Sequence, residues 1–462
     1  MSKTRATINF IGLFLFIVAI VVLNESIVIT EPHLQLTLNK YSFVGGAFLL
    51  FIVVIFMWVF TKHKEFLNYK VFLLIVLAFA TPLINVFLEP SVISFPATDA
   101  EGVTETVSLT IGLFARFQSL FFTLTSILIV YLFFVVVPKL LKTKAMLMGF
   151  LYFLIIILVG FIIYSLIVEW DQYYLLFTTG DIDYYTPTIS LFSNTNVFGY
   201  YLSLGIYVLG ILDSLKHRFW HYILMAVFIL SLLLTITITS YVGGFVFLTL
   251  YVVYDLMIQL KRRPVAASIW FVSLVSLTFV AIVGLMLSDL PLATSIREDF
   301  IPESIESLQS RYIIWRHARE LYFGLHLYIG HGMGISNSLL RLAMGVEGGY
   351  GTNRFHNGVY EIIASGGLYF LLTYLTLVGV TIYFVIKRYK YNRKLALTSL
   401  FILLGILIQS VSEAKVLFKG DAMGTLGTFI ILIPLLIDRD LIDTRTKVTP
   451  IPKVFEIGPV VD

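Results

Sequence analysis

The feature that most constrains this chain is a series of apolar stretches of about 20 residues, repeated along most of its length. The 462 residues are 58% hydrophobic and 13% charged, whereas a soluble domain carries about 25% charged residues. A helix of about 20 residues crosses about 30 Å of hydrocarbon with every backbone polar group bonded internally. The sequence therefore predicts a polytopic integral membrane protein.

The apolar stretches predict an all-α bundle of about twelve transmembrane helices, built as one integral membrane domain over residues 1–462. The expected spans are roughly 8–29, 41–60, 71–88, 107–137, 146–168, 195–213, 221–239, 241–260, 265–288, 357–386, 395–411 and 422–437. The first is interpreted as a retained span, because no small-residue cleavage site follows it. Residues 438–462 would form a tail.

The distribution of basic residues gives an orientation for this bundle. With the N-terminus inside, about two thirds of the 32 lysines and arginines fall in cytoplasmic segments, as the positive-inside rule requires. Both termini and the tail are then cytoplasmic. Residues 289–356 become one large extracytoplasmic loop, which we expect to carry short helices and any chemistry.

The composition of this loop supports that expectation. It contains six arginines and no lysine, and it holds four of the eight histidines. Guanidinium groups offer a fixed fork for anionic oxygens, so an exclusive choice of arginine favours bidentate anion recognition. The alternative is ion pairing within the loop, with Glu303, Glu306 and Glu320 as partners.

Four segments carry a resemblance to a known family. Arg-Phe-His-Asn-Gly at 354–358, followed by Gly366 and Gly367, is similar to the His-Asn, nine residues, Gly signature of bacterial O-antigen ligases and O-antigen or capsular polysaccharide polymerases. The segments 310–315 (Ser-Arg, then Trp), 330–334 (Gly-rich) and 194–199 (Asn-x-Asn-x-x-Gly) resemble further elements of this family. Two positions depart from the pattern: Phe370 replaces a second glycine, and Tyr241 replaces an arginine.

The resemblance implies a membrane enzyme of polysaccharide biosynthesis in a bacterial cytoplasmic membrane. Its donor would be a glycan linked to undecaprenyl diphosphate, and its acceptor a glycan hydroxyl at the outer face. A flippase and a chain-length regulator would be possible partners, and nucleic acid would not. Polymerase and ligase are not distinguished by the sequence, and neither is the sugar.

The resemblance and the chemistry together assign roles to individual residues. His356 would be the catalytic base, because a neutral imidazole accepts protons near neutral pH, and Arg311 would bind the diphosphate. Structural alternatives stay open: a capping or hydrogen-bonded His356, interfacial snorkelling for Arg116, helix capping for Asn194 and Asn196, and a helix-start role for Glu361. The expected substrate-binding residues are Arg116, Arg354, Asn194, Asn196, Asn357 and Glu361.

No cofactor and no metal are expected. The chain has no cysteine, and the spacing of five between His326 and His331 would place them on different faces of a helix. Two other classes stay open. A transporter or flippase would need ionisable residues within the membrane, and a glycan-binding scaffold would use many of the same site residues without turnover.

Overall fold

The computed structural model describes residues 68–98, 102–136, 141, 143–179, 190, 192, 195–287, 294, 298, 301–322, 324–345, 355–413, 416–418 and 422–436. The first two predicted spans and the predicted tail lie outside these residues, and so do Asn194 and Arg354.

The described residues are mostly helical, with one β-hairpin. In chain order the elements are α1 (Tyr69–Ala78), α2 (Ala80–Leu88), β1 (Val92–Thr98), β2 (Thr104–Thr110), α3 (Leu113–Tyr131), α4 (Lys144–Val168), α5 (Trp170–Thr179), α6 (Thr195–Leu215), α7 (Phe219–Leu234), α8 (Ile238–Arg262), α9 (Pro264–Leu287), α10 (Ile301–Glu320), α11 (His326–Ile329), α12 (Ile335–Gly345), α13 (Gly358–Tyr389), α14 (Arg393–Ser412) and α15 (Ala422–Leu436). A π-helical turn, Leu132–Val136, continues α3.

Five of the described helices are long and apolar enough to cross a membrane: α4, α6, α8, α13 and α14. The prediction of a single span at 71–88 corresponds to two helices, α1 and α2, which meet at a bend of 58° and would count as a sixth span if they cross together. Large apolar side chains such as Ile156 and Ile167 on α4 are exposed, which is costly in water and expected against lipid.

Helix α6 is the centre of the bundle. Every residue from Val197 to Leu215 is buried, and the helix contacts α4, α7, α8, α14 and α15. Its glycines permit close approach, because a Cβ at Gly210 would lie 2.6 Å from the ring of Phe247 on α8. The small residues of α6 therefore serve dense helix packing.

The hairpin is a departure from the all-α expectation. Strands β1 and β2 pair antiparallel, with Val92 opposite Thr110 and Thr98 opposite Thr104. Alternate residues of β1 are buried, including Ile93 and Phe95. They pack into a second core with apolar residues of α10 and α12, such as Ile314 and Leu339. The hairpin and these helices therefore form a compact unit, which we call the cap.

Helix α13 is interrupted at Gly367, whose φ of 69° and ψ of −169° are not helical. The glycine-rich turn after α11 docks into this break: the amides of His331 and Gly332 donate to the carbonyls of Ala364 and Ser365, both at 2.8 Å. Side chains would not fit here, because a Cβ at Gly330 would overlap the backbone of Gly366. Two glycine motifs thus join the cap to the bundle.

Candidate active site

His356 lies immediately before α13 in a conformation fixed from both sides. Its φ of 47° is in the left-handed region, which non-glycine residues rarely adopt. Asn357 follows as the N-cap of α13 and accepts from the amides of Val359 (2.9 Å) and Tyr360 (3.2 Å). The Asn357 amide also donates to the carbonyl of Val411, at 2.8 Å. Asn357 therefore anchors the histidine rather than standing free for a ligand.

Glu413, the C-cap residue of α14, brings together the two predicted catalytic residues. Its Oε1 lies 3.3 Å from Nδ1 of His356 and 3.3 Å from Nη2 of Arg311. Arg311 also donates through Nη1 to the carbonyl of Ser412. His356 and Arg311 are 45 positions apart in sequence, so their convergence on one carboxylate is a product of the fold.

The burial of this triad shapes its chemistry. The side chains of Arg311 and Glu413 are 9% and 6% exposed, whereas that of His356 is 23% exposed. A buried ion pair depends on both partners, since removing one leaves an uncompensated charge. The more accessible imidazole is the member that can meet a ligand from outside.

The contact with Glu413 also selects a tautomer of His356. A carboxylate favours the form in which Nδ1 carries the hydrogen and donates, so Nε2 is left to accept a proton. The distance of 3.3 Å is slightly longer than the usual range for an N–H···O hydrogen bond. The arrangement can therefore act as an oriented general base.

The guanidinium of Arg311 is fixed by the bundle. Two of its five N–H donors are used on Ser412 and Glu413. Trp315, one turn further along α10, stacks on Tyr360, with ring centroids 6.1 Å apart and planes at 16°. Its indole N–H donates to the carbonyl of Phe355 at 3.1 Å. Trp315 thus holds the residue that precedes His356.

Arg116 is located elsewhere. Its guanidinium donates to the carbonyls of Val86 (2.8 Å) and Glu89 (2.6 Å), at the C-terminal end of α2. Cations are favoured at this end of a helix, where the last carbonyls lack helical partners. Arg116 therefore closes α2, and the structure brings it to Glu89 rather than to His356.

Asn196 joins two helices of the bundle. Its side-chain oxygen accepts from the hydroxyl of Thr239 at 2.9 Å, and its backbone oxygen accepts from the hydroxyl of Ser240 at 3.2 Å. A Cβ at Gly199 would lie 2.6 Å from that same Ser240 hydroxyl oxygen. The Asn-x-Asn-x-x-Gly element thus contacts the start of α8, next to Tyr241, the position that departs from the family pattern.

Glu361 is buried in the first turn of α13. It lines a small, mostly apolar pocket with a volume of about 20 Å³. Phe370, the other departure from the family pattern, lines the same pocket and packs against Phe79 with ring centroids 5.2 Å apart. A pocket of this size has room for about one water molecule.

A second polar cluster lies beside the break in α13. His331 Nδ1 is 2.7 Å from Glu89 Oε1, and the rings of His326 and His331 stack with centroids 4.0 Å apart. The expectation that these histidines face apart is wrong, because α11 ends at Gly330, whose φ of 71° turns the chain back. Burial, and then the neighbouring His331, lower the pKa of His326.

Sequence reasoning missed both carboxylates of these clusters. Glu89 and Glu413 belong to no motif, and each comes directly after an apolar stretch, where a charged residue is unremarkable. What the two carboxylates share in the sequence is their position. Each follows the end of a predicted span, on the side of the membrane to which the large loop was assigned. Arg354 and Asn194 lie outside the described residues.

Comparison with known proteins leaves the family open. No model of a known protein family matches this chain, and no curated protein matches it.

Proposed function

We propose that this protein is a membrane glycosyltransferase of the O-antigen ligase or polysaccharide polymerase type. It transfers a glycan from undecaprenyl diphosphate to an acceptor sugar hydroxyl. The observation that carries the proposal is the convergence of His356 and Arg311 on Glu413. A base and a cation at one site are what this reaction requires.

The proposed reaction is a single displacement. His356 Nε2 takes the proton of the acceptor hydroxyl as its oxygen bonds to the anomeric carbon. The bond between that carbon and the diphosphate oxygen breaks, and its electron pair leaves with the lipid diphosphate. The anomeric configuration inverts, and the residues named here require no metal for the transfer.

Arg311 would stabilise the charge that develops on the leaving diphosphate. Three of its N–H donors remain after the bonds to Ser412 and Glu413, within the part of the chain that the structure describes. Glu413 would offset the positive charge on His356 after proton transfer, as a carboxylate does beside a catalytic histidine. Arg354, Asn194 and Glu361 are proposed to contact donor or acceptor.

The proposed setting is a bacterial cytoplasmic membrane, crossed about twelve times, with the loop 289–356 and the active site at the outer face. The five apolar helices long enough to span and the positive-inside pattern support it. A donor delivered by a flippase would reach the site from the bilayer, and a chain-length regulator would act on the product.

The decisive experiment is complementation of a strain that lacks this protein, with wild type or His356→Ala at matched membrane levels. We expect wild type to restore polymeric or ligated glycan. We expect the variant to leave single lipid-linked repeats or unligated glycan. The control is His217→Ala, which removes a histidine whose side chain is 69% exposed. Equal restoration by His356→Ala would refute the proposal.

A transporter is the second candidate, favoured by one observation. Asp213, buried near the end of α6, accepts from Lys394 Nζ and from the hydroxyl of Tyr251, both at 2.6 Å. Ionisable residues inside membrane-spanning segments mark ion pathways, although Asp213 lies at the cytoplasmic end of its predicted span. Uptake into proteoliposomes that is driven by a proton gradient and abolished in Asp213→Asn would favour transport over glycosyl transfer.

A further inference from the structure

Three side chains with metal-binding chemistry meet where the cap joins the bundle. Glu89 is the C-cap residue of α2, His326 begins α11, and His331 follows that helix. Within the described residues, one potential ligand atom from each lies within 4.8 Å of the others. The side chains are 2%, 18% and 0% exposed, respectively. The cluster is therefore enclosed, and His326 is its most accessible member.

The backbone around the cluster is fixed by its neighbours. Arg116 donates to the backbone carbonyl of Glu89, and the side-chain amide of Asn85 on α2 donates to the backbone carbonyl of Ile329. On the other side, the amide of His331 donates to the carbonyl of Ala364 in α13. Ligands supported by such surrounding hydrogen bonds are typical of metal sites.

Hydrogen bonding assigns the protons of His331. Its Nε2 lies 2.9 Å from the carbonyl oxygen of Leu321. A carbonyl can only accept, so Nε2 carries a hydrogen and donates. In a neutral ring, Nδ1 is then a lone pair, and it faces the Glu89 carboxylate at 2.7 Å. Two lone pairs at this distance repel unless a proton lies between them. A metal ion bonded to both atoms in place of that proton would hold them about 3.3 Å apart, so it would need a small outward shift of the Glu89 side chain.

We propose that Glu89, His326 and His331 bind a divalent transition-metal ion of the Zn²⁺ type. Two imidazole nitrogens and one carboxylate form a ligand set that zinc uses in proteins, with a fourth position open to water. A histidine that donates its second N–H to a backbone carbonyl, as His331 does to Leu321, is the usual supporting arrangement for such a ligand.

His326 is the ligand that must move. Its ring lies nearly parallel to that of His331, at 18°, and in-plane lone pairs on parallel rings do not converge on one ion. A turn about the Cβ–Cγ bond would be needed to aim a ring nitrogen at the ion, and it would give up the hydrogen bond between His326 Nδ1 and the carbonyl of Gly330, at 3.1 Å. The partial exposure of this side chain permits that turn.

The ion would fasten three segments of the chain together: the end of α2, the turn after α11 and, through His331, the break in α13. Ala364 is six residues beyond Gly358, so this junction is about 9 Å along α13 from the start of the helix beside His356. The site is thus separate from the Glu413 triad, and the inference does not depend on glycosyl transfer.

The test is the metal content of the full chain, purified in detergent without a polyhistidine tag. We expect about one zinc per chain after incubation with Zn²⁺ and desalting. Glu89→Gln and His326→Ala should each weaken Zn²⁺ binding by at least about tenfold. His217→Ala is the matched control and should bind Zn²⁺ as wild type does.

A second measurement on the wild type covers the case in which the variants do not fold. Replacement of zinc by Co²⁺ followed by X-ray absorption at the cobalt edge should show nitrogen and oxygen ligands with imidazole scattering from two histidines. Wild-type protein with no saturable Zn²⁺ binding would overturn the proposal, because a proton would then bridge His331 and Glu89. Unchanged binding in both folded variants would also overturn it.

Discussion

Replacement of Glu413 by glutamine tests the geometry of the proposed active site most directly, because it removes the charge and keeps the shape. The carboxylate accepts from both His356 and Arg311. Both contacts are to the same oxygen, Oε1, so an amide oxygen at that position can still accept from both groups, but only as a neutral acceptor. The variant therefore replaces two hydrogen bonds to a carboxylate by weaker bonds to a neutral amide, and it removes the negative charge that pairs with Arg311.

The size of the effect follows from these contacts. A hydrogen bond to a charged group contributes about 1.5–3 kcal/mol and one between neutral groups about 0.5–1.5 kcal/mol, and about 1.4 kcal/mol corresponds to a tenfold change in rate. We therefore expect Glu413→Gln to lower kcat by about 10- to 100-fold, with a smaller change in KM. Removal of one partner from a buried ion pair costs up to about 3–5 kcal/mol, so Tm should also fall.

The assay is glycan transfer by purified protein, with lipid-linked donor and kcat and KM measured separately at a temperature where each variant stays folded. Glu320→Gln is the matched control: this carboxylate also contacts a histidine, His317, at 2.8 Å, but lies on α10 outside the triad. We expect it to change kcat less than about threefold. A wild-type kcat in folded Glu413→Gln would refute the role of the triad. If Glu320→Gln lost as much kcat as Glu413→Gln, the loss would instead be due to lower stability of the cap.

Two further substitutions test separate parts of the argument. Arg311→Lys keeps the positive charge but lacks the planar guanidinium that donates to both Ser412 and Glu413. We expect kcat to fall at least about tenfold, and full activity would exclude a role for the guanidinium fork. Gly367→Ala places a Cβ on a residue with φ of 69° and against the carbonyl of Tyr328. The free energy of unfolding should therefore fall by at least about 1–3 kcal/mol, which is measured as a lower Tm. Gly379→Ala, with open space around its Cα, is the control, and equal stability of the two variants would contradict the proposed junction.

Much of the helical framework could be predicted from the sequence, because apolar runs of membrane-spanning length have few alternative structures. Helices α4, α6, α13 and α14 lie within a few residues of predicted spans. The bend between α1 and α2 was missed, although Pro82 in the first turn of α2 is a local signal for a break in a helix. The hairpin could have been found: alternate residues from Val92 to Thr98 are apolar, which is the two-residue period of a half-buried strand.

The candidate site was predictable only in its parts. Motif resemblance drew attention to His356 and Arg311, and the fold then placed both on Glu413. No local pattern could identify Glu413, because its role depends on α10 and the start of α13 reaching the end of α14. The prediction that His326 and His331 lie on different faces of a helix was wrong for a related reason: it assumed a continuous helix, and Gly330 turns the chain between them.

The two clusters share one physical arrangement, which explains why each requires a histidine and an arginine. Glu89 and Glu413 are C-cap residues of α2 and α14, where unpaired carbonyls already make the helix end negative. A buried carboxylate there needs compensation. At α2, Arg116 bonds the Glu89 carbonyl and His331 contacts the carboxylate. At α14, Arg311 bonds the Ser412 carbonyl and the Glu413 carboxylate, which His356 also contacts. The need to balance a buried carboxylate thus brings residues of the cap to two helix ends of the bundle. Of the two sites, the one at the end of α14 is better placed for chemistry, because the imidazole of His356 is the most exposed of the three histidines.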